Sequence, residues 1–353
     1  MKAVLLAPLP PPTGGIAVWA ERMLSAELKG NWEIKIVDEK ASEKRGLFGN
    51  SKRSFFDEWK RCKRIWGDLK KAVEDDEVKV VHTNIPATTF AMMREYVCAK
   101  ISKRAGKKFI VHFRCTVPNM RDSRFWGYIL KKLCNSSDMI ISLNEQTNQC
   151  LKNYTSTPIQ IIPNFVSEEE IIKSEKTIKD EMKTVLYVGG GVPGKGCREV
   201  IDTALAFPEI EFRICGNCST EIINYHKEKN EKNVILCGVK TREEVREELK
   251  NADVFIFLSY FRGEGFSNAL AEAMAAGLPC LVTDWAANKD MIGDGGGFVV
   301  PIRDSKAAIE ALKKMEPKEV REAQSKYNIE KVKNEYIDSV VIDKYVDLYE
   351  SLL

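Results

Sequence analysis

No apolar run in the 353-residue chain approaches the roughly 20 residues that a membrane-spanning helix needs; the best, residues 254–258, has the length of a strand. Only five apolar residues separate Met1-Lys2 from Pro8, too few for the core of a signal peptide. A cytoplasmic location is therefore expected, reaching at most the inner face of a membrane. The chain has no repeat with a period of about 20–50 residues and no low-complexity tract, so any repetition is of domain type. No two aspartates stand in Asp-x-Asp spacing, and a divalent metal held by such a pair is not expected. Ten cysteines in a chain of this expected location read as buried small hydrophobes and not as a disulfide framework.

What is there is a globular composition, 44 % hydrophobic and 30 % charged, with the length of two ordinary domains. The small net charge of +3 conceals an asymmetry: residues 1–166 hold 28 Lys+Arg against 17 Asp+Glu (+11), and 167–353 hold 26 against 34 (−8). Halves of opposite sign point to domains with different partners, the first facing something anionic. Short β-rich runs alternate with amphipathic stretches, at 2–7, 33–37, 78–82, 108–113 and 138–143, then at 184–188, 211–215, 233–237, 253–259, 279–283 and 297–300. That alternation predicts α/β architecture, two doubly wound parallel sheets in domains 1–166 and 167–333. The junction is placed at Ile162-Pro163-Asn164-Phe165-Val166 and the charged stretch 167–183. Residues 334–353 carry Tyr336, Val340, Val341, Tyr345, Leu348 and Leu352 on one helical face and predict a docked C-terminal helix.

Three loops carry candidate chemistry. Pro8 to Gly15 joins the first strand to a helix; its prolines stiffen the entry, and Gly14-Gly15 let backbone N–H groups approach an anion. The bland alternative is a rigid turn without a ligand. Gly189-Gly190-Gly191-Val192-Pro193-Gly194-Lys195-Gly196 satisfies G-x-G-x-x-G and nearly satisfies the P-loop pattern. Gly196 lacks the hydroxyl that a P-loop uses for Mg²⁺, and the next strand ends in Cys215-Gly216 without the acid that a dinucleotide site needs. A glycine loop with one cation, Lys195, remains, and it suits a diphosphate. Cys215-Gly216-Asn217-Cys218 is a C-x-x-C without a second pair, read as a tight turn and not as a redox or zinc motif.

The most specific segment runs from Arg262 to Pro279, RGEGFSNALAEAMAAGLP: a glycine-flanked acidic loop, then an Ala-rich helix closed by Gly277 and Pro279. Glu264 and Glu272 stand eight positions apart, flanking the helix start at Phe266 and Ser267. Phosphates on the helix end and sugar hydroxyls on the carboxylates fit this pattern. A surface role for Glu272 fits poorly with its apolar neighbours Ala271, Ala273 and Met274.

At these residues the chain resembles the family-4 retaining glycosyltransferases, the group 1 transferases with the GT-B fold. Pro12-Thr13-Gly14-Gly15, Val111-His112, Ile162-Pro163-Asn164 and Lys195-Gly196 match in family order along nearly the whole chain. The resemblance implies two Rossmann-like domains with a cleft between them and a C-terminal helix packing back on the first. It implies a nucleotide-sugar donor, UDP- or GDP-linked, held mainly by the second domain, and an acceptor held by the first. Carried over, Glu264 contacts the transferred sugar, Gly265, Phe266 and Ser267 the diphosphate, and Glu272 the ribose. His112 lies against the donor sugar, Gly14 and Gly15 close over the diphosphate, and Lys195 neutralises the leaving group. The loops at Gly216 and Gly238 are expected to meet the base. Gly190 stands where the family usually carries Arg, so Arg262 or Arg114 is the candidate substitute cation.

The basic first half also holds a helical stripe, Phe55, Trp59, Cys62, Trp66, Leu69 and Val73, ringed by Lys60, Arg61, Lys63, Arg64, Lys70 and Lys71. It reads first as a core-covering helix, with its basic face available to anionic lipid or to a diphosphate-linked acceptor. No recognition motif points to nucleic acid. The expected function is hexosyl transfer to a glycan or polyprenyl-diphosphate-linked acceptor, in polysaccharide, lipopolysaccharide or glycolipid assembly, with no cofactor and no metal. A GT-B sugar-nucleotide epimerase and a non-catalytic GT-B partner subunit are the alternatives.

Overall fold

The computed structural model describes residues 1–11, 14–40, 55–171, 176–230 and 232–353, so Pro12, Thr13 and the side chain of Phe55 lie outside the described residues. The chain forms two compact units, Met1–Asn164 with Val341–Leu353, and Phe165–Val340.

The first unit runs β1 (Lys2–Ala7), α1 (Gly15–Ser25), β2 (Glu33–Asp38), α2 (Phe55–Val73), β3 (Val78–Ile85), α3 (Thr89–Arg104), β4 (Lys108–Phe113), α4 (Trp126–Cys134), β5 (Met139–Ser142), α5 (Glu145–Lys152) and β6 (Ile159–Ile161). The strands form one sheet in the order β2-β1-β3-β4-β5-β6, parallel throughout. Its interior strands are buried on both faces, as near-continuous apolar runs such as Ala3 to Leu6 require. Helix α2 lays Cys62, Ile65, Leu69 and Val73 into the core, which makes it a covering helix. The edge strand β6 was not expected, because three residues bounded by Pro158 and Pro163 carry no readable alternation. β3 extends past His82 to Ile85: Thr83 and Asn84 look like a strand end but are buried and bonded, Thr83 Oγ1 donating to Glu95 Oε2 at 2.7 Å.

The second unit runs β7 (Thr184–Val188), α6 (Cys197–Ala204), β8 (Glu211–Cys215), α7 (Thr220–Lys229), β9 (Val234–Gly238), α8 (Arg242–Asn251), β10 (Val254–Phe257), α9 (Asn268–Ala275), β11 (Cys280–Thr283), α10 (Asn288–Ile292), β12 (Gly297–Val300), α11 (Ser305–Lys313) and α12 (Lys318–Glu335). Its parallel sheet has the order β12-β11-β10-β7-β8-β9. Connections therefore leave β7 in one direction and β10 in the other, and the loops after these two neighbours flank the switch point where open α/β sheets bind ligands.

The tail is divided differently from the single helix expected over 334–353. Helix α12 runs to Glu335, and α13 (Asp338–Ser351) begins after a break. At the break Val166 N–H donates to the Tyr336 carbonyl (2.9 Å) and Asp338 N–H to the Val166 carbonyl (3.0 Å), so the backbone bonds there are diverted from the helix. Val341 onward belongs to the first unit, where Val341, Tyr345, Val346, Leu348 and Tyr349 are buried. Among the described residues no helix is long and apolar enough to cross a membrane.

Candidate functional site

In the second unit the glycine loop after β7 and the acidic loop after β10 are bonded to each other. Tyr260 N–H donates to the Gly194 carbonyl at 2.7 Å, and the Tyr187 hydroxyl donates to the Lys195 carbonyl at 3.2 Å. Gly196 caps α6 in the left-handed region (φ 81°), and a Cβ there would strike the Leu258 carbonyl, so the two loops meet only because this residue is glycine. Lys195, at the end of the glycine loop, reaches Glu264 in the acidic loop, with Nζ to Oε2 at 2.6 Å. The Lys195 ammonium also lies over the Phe261 ring, 4.7 Å from its centre. The carboxylate is 10 % exposed and the lysine 22 %, a partly desolvated pair that a ligand can still reach.

Ser267 caps α9, its Oγ accepting from Leu270 N–H at 3.3 Å, and Gly265, Phe266 and Ser267 are buried beside the pair. Gly277 (φ 69°) ends the helix as its sequence predicts. Glu272, in the second turn, lines a cavity of about 520 Å³ with Val188, Lys240, Arg242, Val245 and Ala276. Neither Lys195 nor Glu264 lines that cavity, so the two acids of the Glu-x₇-Glu segment serve separate places.

Gly216 and Gly238 converge at the adjoining strand ends, Gly216 N–H donating to the Gly238 carbonyl at 2.8 Å. At Gly216 (φ 144°) a Cβ would strike the Gly189 carbonyl. Gly190 faces open space, with nothing within 4 Å of an added Cβ, and Arg262 is exposed in the acidic loop. Burial pushes the Cys215 thiol up to about 12 and the Cys218 thiol upward as well, so the C-x-x-C offers no thiolate nucleophile.

In the first unit, Gly14 caps α1 and lines, with Gly15, Pro8, Glu39, Arg61 and Arg94, a cavity of about 470 Å³. Its floor holds an ion network that sequence reasoning missed: Arg94 Nη2 is 2.7 Å from Glu39 Oε1, and Arg94 Nε donates to Glu95 Oε1 at 2.5 Å. Burial pushes Glu39 up to about 8 against the pull of Arg94. No local feature of the sequence marks Glu39 or Arg94 as buried. His112 lies within β4 and is wholly buried, its Nδ1 3.2 Å from His82 Nε2. Arg114, the other candidate cation, donates to Asn164 Oδ1 (2.6 Å) and lies 4.5 Å over the Trp19 ring.

Residues 168–332 match the family model described as glycosyl transferases group 1. The chain is 26 % identical over 312 residues, 80 % of its length, to the UDP-Gal:alpha-D-GlcNAc-diphosphoundecaprenol alpha-1,3-galactosyltransferase of Escherichia coli, covering 77 % of that protein. Among solved structures it shares its fold with the sucrose-phosphate synthase of Thermosynechococcus elongatus (TM-score 0.82, 15 % identity, 100 % and 99 % of the two chains). HepE of Anabaena in complex with UDP is similar too (TM-score 0.75, 14 % identity, all of both chains). The two parallel sheets, the match of residues 168–332 to the group 1 model and the Escherichia coli relative together support a glycosyltransferase enzyme of GT-B architecture.

Proposed function

We propose that the chain transfers a hexose from a UDP- or GDP-linked sugar to a glycan or polyprenyl-diphosphate-linked acceptor, with retention of configuration, as a family-4 enzyme. The observation that carries this reading is the Lys195–Glu264 pair, 2.6 Å apart at the switch point and beside the N-terminus of α9. A glycosyl phosphate presents hydroxyls and anionic oxygens side by side, and this pair presents a carboxylate and an ammonium side by side. Glu264 accepts from the hydroxyls of the transferred sugar. Lys195 and the backbone N–H groups of Gly265, Phe266 and Ser267 take up charge as the nucleoside diphosphate departs. An oxocarbenium-like sugar remains, and the acceptor hydroxyl attacks its same face, giving up its proton to the departing diphosphate oxygen. Glu272 takes the ribose, the loops at Gly216 and Gly238 take the base, and Gly14 and Gly15 complete the donor contacts together with the backbone of His112, whose ring is wholly buried. Protein cations and helix dipoles do this work without a metal or other cofactor. The second unit holds the donor, and the basic first unit holds the acceptor.

The enzyme works in the cytoplasm at the membrane face. Phe56 and Trp59 on α2 are 61 % and 43 % exposed, with Lys60 over the Phe56 ring and Lys63 near the Trp59 ring, an aromatic–basic edge suited to anionic lipid. The enterobacterial relative sets the first substrates to try: UDP-galactose with an N-acetylglucosaminyl diphospholipid, with other UDP- and GDP-sugars in parallel. Released nucleotide reports turnover, and NMR of the product reports its anomer. An α-linked product from an α-linked donor, formed in excess chelator, is expected. An inverted product, chelator-sensitive turnover, or nucleotide release without acceptor consumption overturns the corresponding part.

A further inference from the structure

The C-x-x-C of the second unit has a neighbour that its sequence spacing conceals. Ile214 pairs with Leu236 but Cys215 pairs with Gly238, so Cys237 is the extra residue of a bulge between β8 and β9. The Sγ atoms of Cys215 and Cys237 and one carboxylate oxygen of Glu248, from α8, all lie within 4.8 Å of one another. The geometry points to a binding site for a soft divalent cation of the zinc class, held by Cys215, Cys237 and Glu248.

Tetrahedral zinc with thiolates at about 2.3 Å needs sulfurs about 3.8 Å apart, inside the 4.8 Å within which these ligand atoms already lie. Thiolates select zinc-like cations over magnesium or calcium, which favour all-oxygen ligands. The carboxylate is already oriented: Arg213 Nε donates to Glu248 Oε2 at 2.6 Å and Nη2 to Oε1 at 2.8 Å. Such outer partners fix first ligands in metal sites. Arg213 also pairs with Glu211 (2.8 Å), and Lys240 lies 3.5 Å from Glu248, so acids balance the local bases before either thiol ionises. Binding displaces two thiol protons to solvent, and Zn²⁺ or Cd²⁺ drives that exchange at neutral pH. Cys237 is half-buried, so the cluster is open to solvent on one side.

The cation would tie together the residues preceding Gly216 and Gly238. On the donor-binding reading above, occupancy stiffens the loops that meet the base and raises nucleotide affinity, because the cost of ordering them is met before the nucleotide arrives; this consequence rests on that reading, whereas cation binding does not. The test is a titration of the reduced full chain with Cd²⁺, followed by the ultraviolet thiolate-to-cadmium absorption, with Zn²⁺ as competitor. One equivalent is expected to bind. Cys237→Ser should weaken it at least about 100-fold, Glu248→Gln about 10-fold, and Cys150→Ser, in the first unit, not at all. Melting temperatures establish that each variant is folded, with Cys215→Ser as a second probe of the pair. No absorption, or absorption that survives both Cys237→Ser and Cys215→Ser, overturns the site. UDP affinity measured with and without bound Zn²⁺ tests the coupling, and an unchanged value overturns it.

Discussion

Two sheets of the same parallel build finish their carboxyl edges by opposite means. In the first unit the carboxyl halves of β3 and β4 are closed by side chains: His82 and His112 stack with ring centres 5.4 Å apart, walled by Trp19, Tyr345 and Arg114. In the second unit the ends of β7, β8 and β9 are closed by backbone at Gly189, Gly216 and Gly238. A side-chain edge holds one shape and one set of tautomers. Arg114 can only donate, and its shorter contact is to His112 Nε2 (3.2 Å), which leaves His112 Nδ1–H to donate to His82 Nε2 and His82 Nδ1–H to donate to the Tyr349 hydroxyl (2.7 Å). A backbone edge holds no such chain; its glycines bring peptide groups to the surface, and its loops carry the ion pair Lys195–Glu264.

The largest expected effect breaks the second edge at that pair. Lys195→Ala and Glu264→Ala should each lower kcat by at least about 100-fold, the scale of losing one preorganised contact to developing charge. Both groups are partly exposed, so the melting temperature should stay within a few degrees of the parent. Initial rates at saturating donor, with circular dichroism, decide it. Near-normal turnover in both variants would remove the pair from the mechanism.

The first edge breaks with acid. Burial first, then the charge of Arg114, holds His82 down at about 3, and the same causes hold His112 well below its ordinary value. A depressed histidine costs nothing above about pH 6.5, where folded and unfolded chains both carry it neutral. Below that pH only the unfolded chain takes up the proton, so stability is lost as pH falls toward 3. His82 alone removes about 2 kcal/mol at pH 5. Denaturant unfolding at pH 7 and pH 5 should show that loss, and His82→Gln should lessen it, leaving the part that His112 carries. A pH-independent midpoint for the parent would contradict the buried neutral pair.

Those two edges differed equally in how far they could be read from sequence. Gly277 announces the end of its helix because few residues tolerate a left-handed backbone, and the glycine runs around Lys195 and Glu264 mark both loops. The loops of the second unit were therefore legible, while the left-handed Gly196 and the Ser267 cap emerge only in the structure. That the two side chains meet was not, since strand order β7 beside β10 is a tertiary fact. The first edge was less visible: His112 came only through the family resemblance, and His82, Arg94 and Glu39 gave no local signal. A buried polar side chain looks in sequence like an exposed one, and what distinguishes it is a partner far along the chain, such as Tyr349 for His82 or Glu39 for Arg94. The Cys237 bulge is of the same kind. β6 was lost for brevity, and the break at Tyr336 because it depends on Val166.

The smallest effect sharpens the comparison by adding a side chain to the backbone edge. Gly190 is the position at which this chain departs from the cation usual in the family it resembles, and an added Cβ meets nothing there within 4 Å. Its φ is outside the left-handed region, unlike that of Gly189 or Gly194, so an arginine fits the backbone without strain. If the leaving diphosphate is short of one charge-assisted contact, Gly190→Arg should raise kcat by up to about 10-fold, or ~1.4 kcal/mol, with unchanged melting temperature. If Arg262 already supplies that contact, Gly190→Arg should do little alone and restore the turnover lost in Arg262→Ala. A folded Gly190→Arg protein that neither gains activity nor rescues Arg262→Ala would mean that the charge is met wholly by Lys195 and the α9 terminus, and that the backbone edge is complete without a second cation.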